Sequence, residues 1–91
     1  MQYYMIEWDH EEPDDPWRLF LEMDRTGSLC RKVEVYRVGI YEPYDDLDTP
    51  PMDPRELAGS EGNVRKISRE QFDDMWEQSR QMRGGFMGLF Y

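Results

Sequence analysis

The sequence predicts an α+β fold in which an antiparallel sheet of three or four strands packs against one C-terminal helix. Alternating apolar residues predict strands in residues 1–41, and apolar residues at helical spacing predict a helix over residues 68–83. The length of 91 residues allows a single small domain. Aromatic residues make up 14% of the chain, so large rings supply much of the core area that such a short chain needs.

The first predicted strand runs from Tyr3 to Trp8 and alternates between two faces. The segment that follows, residues 9–16, holds five carboxylates and two prolines. Proline removes a backbone donor and neighbouring like charges repel each other, so this segment is predicted to be an exposed loop rather than a strand or a helix.

The second and third predicted strands form a hairpin. The second strand runs from Trp17 to Met23, with every second residue from Trp17 on one face and Phe20 on the polar face. A turn ending in Gly27 follows, where glycine can adopt a positive φ. The third strand is predicted over Leu29 to Val38, and a fourth short strand is predicted to begin at Ile40.

Residues 42–66 are predicted to be a long connection that is acidic and rich in proline. A helical turn is expected within it at Pro54–Ala58. No strand is predicted in this part of the chain.

The C-terminal helix is the element with the strongest local signals. Ser68 and Gln71 form a capping box at its start. Acidic residues lie near the start of the helix, and Arg80 and Arg83 lie near its end, as the helix dipole favours. Gly84-Gly85 is predicted to end the helix. The apolar residues that remain are predicted to form a short tail, so residues 84–91 stand apart from the helix.

Charge and cysteine content exclude several classes of function. The chain carries 20 acidic residues against 11 Lys and Arg, for a net charge of −9. This charge disfavours direct binding to DNA or RNA and favours a basic protein partner. Cys30 is the single cysteine, so neither an internal disulfide nor a cysteine-based zinc site is expected. No signal peptide and no membrane span are predicted, and a cytoplasmic location is expected.

Catalysis is not expected, although three arrangements allow it. His10 stands among acidic residues and could ligate a metal or act as a base. Asp45 to Asp48 has carboxylates but lacks the spacing and glycine of an EF-hand calcium loop. Cys30 lies beside basic residues, yet the one histidine is far away in sequence. We therefore expect no cofactor and no bound metal.

Charge placement gives the candidate site. Two proline-stiffened segments concentrate the carboxylates, while the basic residues gather elsewhere. Such carboxylates would steer the chain toward Arg and Lys on a partner, and proline would reduce the ordering cost on binding. The predicted partner-binding residues are Asp9, Glu11, Glu12, Asp14, Asp15, Asp45, Asp46 and Asp48.

Three segments carry a resemblance to known proteins: Tyr4-x-x-x-Trp8-x-His10-x-x-Pro13-x-x-Pro16, Arg31-Lys32-Val33-Glu34-Val35-Tyr36-Arg37-x-Gly39 and Ile67-Ser68-x-Glu70-x-Phe72-x-x-x-Trp76. Together they resemble a family of small bacterial and phage-borne proteins described only as a domain of unknown function. The resemblance covers residues 3–42 and 67–76. It implies a toxin-immunity or mobile-element accessory role and supplies no catalytic residue.

The expected function is that of a non-catalytic acidic inhibitor that blocks a nuclease or another nucleic-acid-binding complex through its basic groove. A toxin-immunity protein and a phage anti-defence protein, such as an anti-CRISPR, both fit this description. The alternative is a structural or assembly module that docks through its apolar tail, residues 86–91. A third hypothesis is a small metal-dependent enzyme that uses His10.

Overall fold

One antiparallel sheet of five strands, rather than three or four, organises the molecule. A computed structural model describes residues 1–88, with the side chains of residues 1–82. In chain order the elements are β1 (Gln2–Trp8), β2 (Arg18–Met23), β3 (Leu29–Val35), β4 (Tyr41–Tyr44), α1 (Pro54–Ala58), β5 (Gly62–Ile67) and α2 (Arg69–Gly88). The strands lie in the order β4-β3-β2-β1-β5.

The β2–β3 turn confirms the predicted hairpin. Asp24 closes it, because its Oδ1 accepts hydrogen bonds from the N–H groups of Thr26 at 2.9 Å and of Ser28 at 3.0 Å. Gly27 has a φ of 92°, in the left-handed region that favours glycine. This turn marks one end of the sheet, and the β1–β2 loop marks the other.

One face of the sheet packs against α2. Phe20 shares a face of β2 with Glu22, as predicted, but that face is not a polar one, because α2 covers it and buries both side chains. Trp17 also packs on this side and not with Leu19, because it lies at a bend before β2. The buried members of this core are Tyr3, Phe20, Val33, Val35, Phe72 and Trp76.

The opposite face is also covered. Helix α1 contributes Ala58, and the segment before it contributes the partly buried side chains of Leu47 and Met52. The predicted connection therefore serves as the second layer of the fold, and its helical turn at Pro54–Ala58 is confirmed. The buried members of this second core are Ile6, Leu19, Leu21, Met23, Leu29 and Ala58.

Helix α2 begins as predicted. The Gln71 N–H donates to Ser68 Oγ at 3.1 Å, and the Ser68 N–H donates to Gln71 Oε1 at 2.8 Å, which is a reciprocal capping box. The helix continues to Gly88, past the predicted end at Gly84-Gly85. Glycine within a helix costs about 1 kcal/mol relative to alanine, which weakens the helix without stopping it. Residues 89–91 of the predicted tail lie outside the described residues.

Strand β5 is absent from the sequence prediction. Its only large apolar residues, Val64 and Ile67, are three positions apart and show no alternation. The strand forms because it pairs with β1, where Ile67 lies opposite Tyr3 and Gly62 opposite Trp8. Within residues 1–88, no helix combines the length and the apolar character needed to cross a bilayer.

Candidate functional site

The acidic loop, which we define as residues 9–16, joins β1 to β2 and is fixed at both ends. The Trp8 N–H donates to the Trp17 carbonyl oxygen at 2.9 Å, and the Trp17 N–H donates to the Val35 carbonyl oxygen at 2.9 Å. These bonds tie the loop to β1 and to β3. The two prolines within the loop restrict its backbone further, so its carboxylates stand on a largely preset frame.

His10 braces the acidic loop from inside. Its Nε2–H donates to the Pro16 carbonyl oxygen at 3.0 Å, and its Nδ1 accepts from the Glu12 N–H at 3.1 Å. These partners fix the neutral tautomer that carries its proton on Nε2. Both ring nitrogens form hydrogen bonds to the backbone of the loop. The lone pair on Nδ1 that would ligate a metal accepts one of these bonds from a backbone N–H.

The turn between β3 and β4, residues 36–40, packs against the acidic loop through Arg37, and we call this turn the hairpin tip. The Arg37 Nε–H donates to the His10 carbonyl oxygen at 3.0 Å, and the guanidinium carbon lies 4.0 Å from the ring centroid of Trp17. A guanidinium above an aromatic ring is attracted by the quadrupole of the ring. Arg37 Nη2 also lies 3.9 Å from the carboxylate of Asp9. The loop and the tip therefore form one surface, which we call the acidic end.

Exposed apolar side chains complete this surface. Strand β3 ends at Val35 rather than at Val38, and a tight turn follows in which the Tyr36 N–H donates to the Ile40 carbonyl oxygen at 2.9 Å. Val38 is 62% exposed and Ile40 is 50% exposed. Apolar residues at a turn tip, where polar ones are usual, are the sequence signal that could have added these two positions to the predicted site.

The carboxylates of the acidic loop are all exposed. Among the described side chains, Asp9 alone lies near a cation, and its partner is Arg37. Arg18, the other cation at this end, is paired with Glu7 at 2.7 Å. Negative charge at the acidic end is therefore largely uncompensated and faces solvent.

A family model matches residues 2–49, and its description is "Domain of unknown function (DUF6881)". The chain belongs to this family. The matched segment holds β1 to β4, the acidic loop and the hairpin tip, so the whole candidate site lies within the DUF6881 part of the chain. The first two resemblance segments fall inside the match, and the third, at residues 67–76, lies beyond it. No curated protein and no solved structure matches the chain.

The second group of predicted partner-binding residues lies elsewhere. Asp45, Asp46 and Asp48 are exposed, and they follow β4 as the DUF6881 segment approaches the β2–β3 turn. The Leu47 N–H donates to the Cys30 carbonyl oxygen at 3.1 Å, which fastens this stretch to the start of β3. The eight carboxylates therefore occupy two opposite ends of the sheet and do not form one surface.

A third polar region, on β3 and β4, forms hydrogen bonds and an ion pair within itself. Lys32 Nζ lies 2.9 Å from the carboxylate of Glu34, and the Tyr36 hydroxyl donates to the same residue at 2.7 Å. The Tyr44 hydroxyl donates to Glu42 at 2.9 Å, and this bond is the largest of the effects that raise the pKa of Tyr44 to about 12. Because these groups bond to one another, fewer of their charges and hydrogen-bonding atoms are free to bind a charged partner than at the acidic end.

The arrangement of Cys30 does not support nucleophilic catalysis. Burial is the main reason that the pKa of the Cys30 thiol is raised, and this disfavours the reactive thiolate. The residue lies at the start of β3, at the opposite end of the sheet from His10. Within residues 1–88, the structure contains no group of three His, Cys, Asp or Glu side chains placed to hold a metal ion.

Gly62 allows α1 and β5 to lie close to Trp8. Trp8 is the residue directly before the acidic loop. A Cβ atom at Gly62 would lie 2.6 Å from the Ala58 carbonyl oxygen and 2.7 Å from Trp8 Nε1. We expect Gly62→Ala to lower the free energy of unfolding by about 1–3 kcal/mol, because backbone must move to admit the methyl group. Urea unfolding measures this loss. The neighbouring exposed change Asn63→Ala serves as the control, and equal stability of the two variants would contradict the prediction.

Proposed function

We propose that this protein is a non-catalytic cytoplasmic inhibitor whose acidic end binds a basic groove on a nucleic-acid-handling protein. The observation that supports this proposal is the structure of the acidic loop. Its carboxylates are exposed, and His10 holds its backbone in place. Among the described side chains, only Asp9 of these carboxylates has a cationic neighbour. A preset loop loses little conformational entropy on binding, so more of its interaction energy appears as affinity.

The class of partner follows from the chemistry of carboxylates. Arg and Lys side chains that bind phosphate oxygens also bind carboxylate oxygens, often through paired hydrogen bonds. A protein that holds a nucleic-acid backbone presents a dense row of such cations. A rigid row of carboxylates competes for that groove. Toxin immunity and phage anti-defence, including anti-CRISPR activity, both require only this complementary surface.

The hairpin tip adds exposed apolar area beside the charged loop. Stable interfaces combine an apolar centre with a polar rim, and the exposed side chains of Val38 and Ile40 lie beside the charged loop. Arg37 joins the two parts through its bond to the His10 carbonyl oxygen. In the bound state the apolar tip would exclude water, while the carboxylates would determine orientation and speed association.

Two matched triple variants test this function. One neutralises the acidic end (Glu11→Gln, Glu12→Gln, Asp14→Asn), and the other removes the same charge from the opposite end (Asp45→Asn, Asp46→Asn, Asp48→Asn). Each is immobilised and used to recover partners from a lysate of the source cell, with salt washes and identification by mass spectrometry. We expect the first variant to bind the partner about tenfold more weakly or worse, with a shallower salt dependence, because three interfacial charges are lost.

Inhibition is then measured as the nucleic-acid binding or cleavage of the recovered partner with and without this protein. Equal loss in both triple variants would show that only net charge matters. A partner whose activity is unchanged when bound would overturn inhibition. Salt-resistant recovery that disappears on deletion of residues 84–91 would instead favour the assembly module that docks through its tail.

A further inference from the structure

A shallow groove opens on the acidic end, beside the base of the acidic loop. Its cavity volume is about 300 Å³, and it is lined by Trp8, His10, Asp15 and Pro16. This volume is at the lower limit for small-molecule sites, and it suits one extended side chain rather than a folded segment. The groove combines an aromatic residue, a proline and a carboxylate.

The walls of the groove are held in place by contacts outside it. The Trp8 Nε1–H donates to the Ala58 carbonyl oxygen at 2.8 Å, and the missing side chain of Gly62 lets the indole lie against β5. His10 is fixed by its bonds to the Pro16 carbonyl and the Glu12 N–H. Because the indole N–H and both imidazole nitrogens are already bonded, Trp8 and His10 present mainly carbon surface to an occupant.

The charge of the groove comes from Asp15. This residue is exposed, and it has no cationic neighbour among the described side chains. An occupant must therefore combine an apolar stem with a positively charged head. Arginine fits best, because its planar guanidinium is weakly hydrated, stacks on aromatic rings and pairs with carboxylates.

We propose that this groove receives a single arginine side chain of the basic partner, with the stem against Trp8 and Pro16 and the guanidinium at Asp15. The proposal rests on the proposed function, because it gives that function its central contact. It adds a specific recognition element to an acidic end that would otherwise attract any basic surface through charge alone.

The test uses the full chain and blocked arginine, N-acetyl-arginine amide, with no partner protein present. The Nε1–H signal of Trp8 in the NMR spectrum, assigned with Trp8→Phe, reports occupancy, and the signal of the buried Trp76 serves as the internal reference. We expect a saturable shift of the Trp8 signal at millimolar arginine. N-acetyl-norleucine amide, which keeps an apolar stem but has no charge, is expected to bind more weakly.

Matched variants separate the groove from general charge. Asp15→Asn is expected to weaken arginine binding about three- to fivefold, whereas Asp14→Asn, which removes the same charge outside the groove, is expected to weaken it by less than about twofold. Equal weakening in both variants, equal binding of norleucine, or no saturable shift would each overturn the proposal. Because the titration contains no partner, its failure would leave the inhibitor hypothesis standing, and failure of partner capture would leave this result standing.

Discussion

Replacing Arg31 with methionine is expected to lower the free energy of unfolding by about 3 kcal/mol at neutral pH. Arg31 Nε and Nη2 donate to the two carboxylate oxygens of Glu22 at 2.8 and 2.6 Å. The side chain of Glu22 is 9% exposed and that of Arg31 is 26% exposed, so the change would leave a nearly buried carboxylate without its partner. We take the lower part of the usual range because Arg31 retains some contact with water.

The same contact joins the sheet to α2. The guanidinium carbon of Arg31 lies 4.9 Å from the ring centroid of Phe72 and 4.8 Å from that of Trp76, and Nη2 lies 3.4 Å from Asp73. Arg31 therefore connects β3 to α2 by charge and by aromatic contact. A double variant, Glu22→Met with Arg31→Met, is expected to be more stable than the single variant because it leaves no buried charge unpaired.

The loss of stability in Arg31→Met is expected to depend on pH. Hydrogen bonding from Arg31 lowers the pKa of Glu22 in the folded state. A lowered carboxyl pKa contributes stability above the unfolded-state value, near 4.3, and that stability is lost as the pH falls through the folded-state value. The difference in stability between the natural chain and Arg31→Met should therefore narrow from pH 7 to pH 3 in urea unfolding. A difference that stayed constant over this range would contradict the assignment to Glu22.

Local signals in the sequence were sufficient for much of this fold. Alternation located β1, β2 and β3, the capping box located the start of α2, and the proline-led turn located α1. Each of these signals involves residues close together in the chain, where steric and hydrogen-bonding preferences act directly. The register of β5 depends instead on pairing with β1 across about 60 residues, so its own six residues carry little information.

The candidate site shows the same division. The acidic loop was predicted because charge and proline content are visible in the sequence. Asp45, Asp46 and Asp48 stay predicted partner-binding residues, although they lie at the other end of the sheet from the loop. Sequence gives the charge of two segments but not the end of the sheet that each occupies. The groove was not predicted either, since it requires Trp8, at the end of β1, to lie beside Asp15.

Phe72→Ala is expected to lower the free energy of unfolding by about 3–5 kcal/mol. Phe72 is fully buried, and its ring centroid lies 5.4 Å from that of Tyr3 and 6.3 Å from that of Trp76. Truncation would leave a cavity at the centre of the contact between α2 and the sheet. A domain of this size has only about 5–14 kcal/mol of total stability, so much of it would be lost. Met82→Ala, which changes an exposed residue of the same helix, is the control and is expected to alter stability by less than about 0.5 kcal/mol.

This result bears on how the DUF6881 segment folds. The family match ends at residue 49, before α2, yet the buried face formed by Tyr3, Phe20 and Val33 is completed by Phe72 from outside that segment. A fragment ending at residue 49 would expose this apolar face to water and would lack β5 at the other side of β1. We therefore expect the fragment to be unfolded by circular dichroism, while Phe72→Ala retains native structure at low temperature with a reduced urea midpoint. A cooperatively folded fragment would show that the four matched strands carry their own stability and that the loss in Phe72→Ala is local to α2.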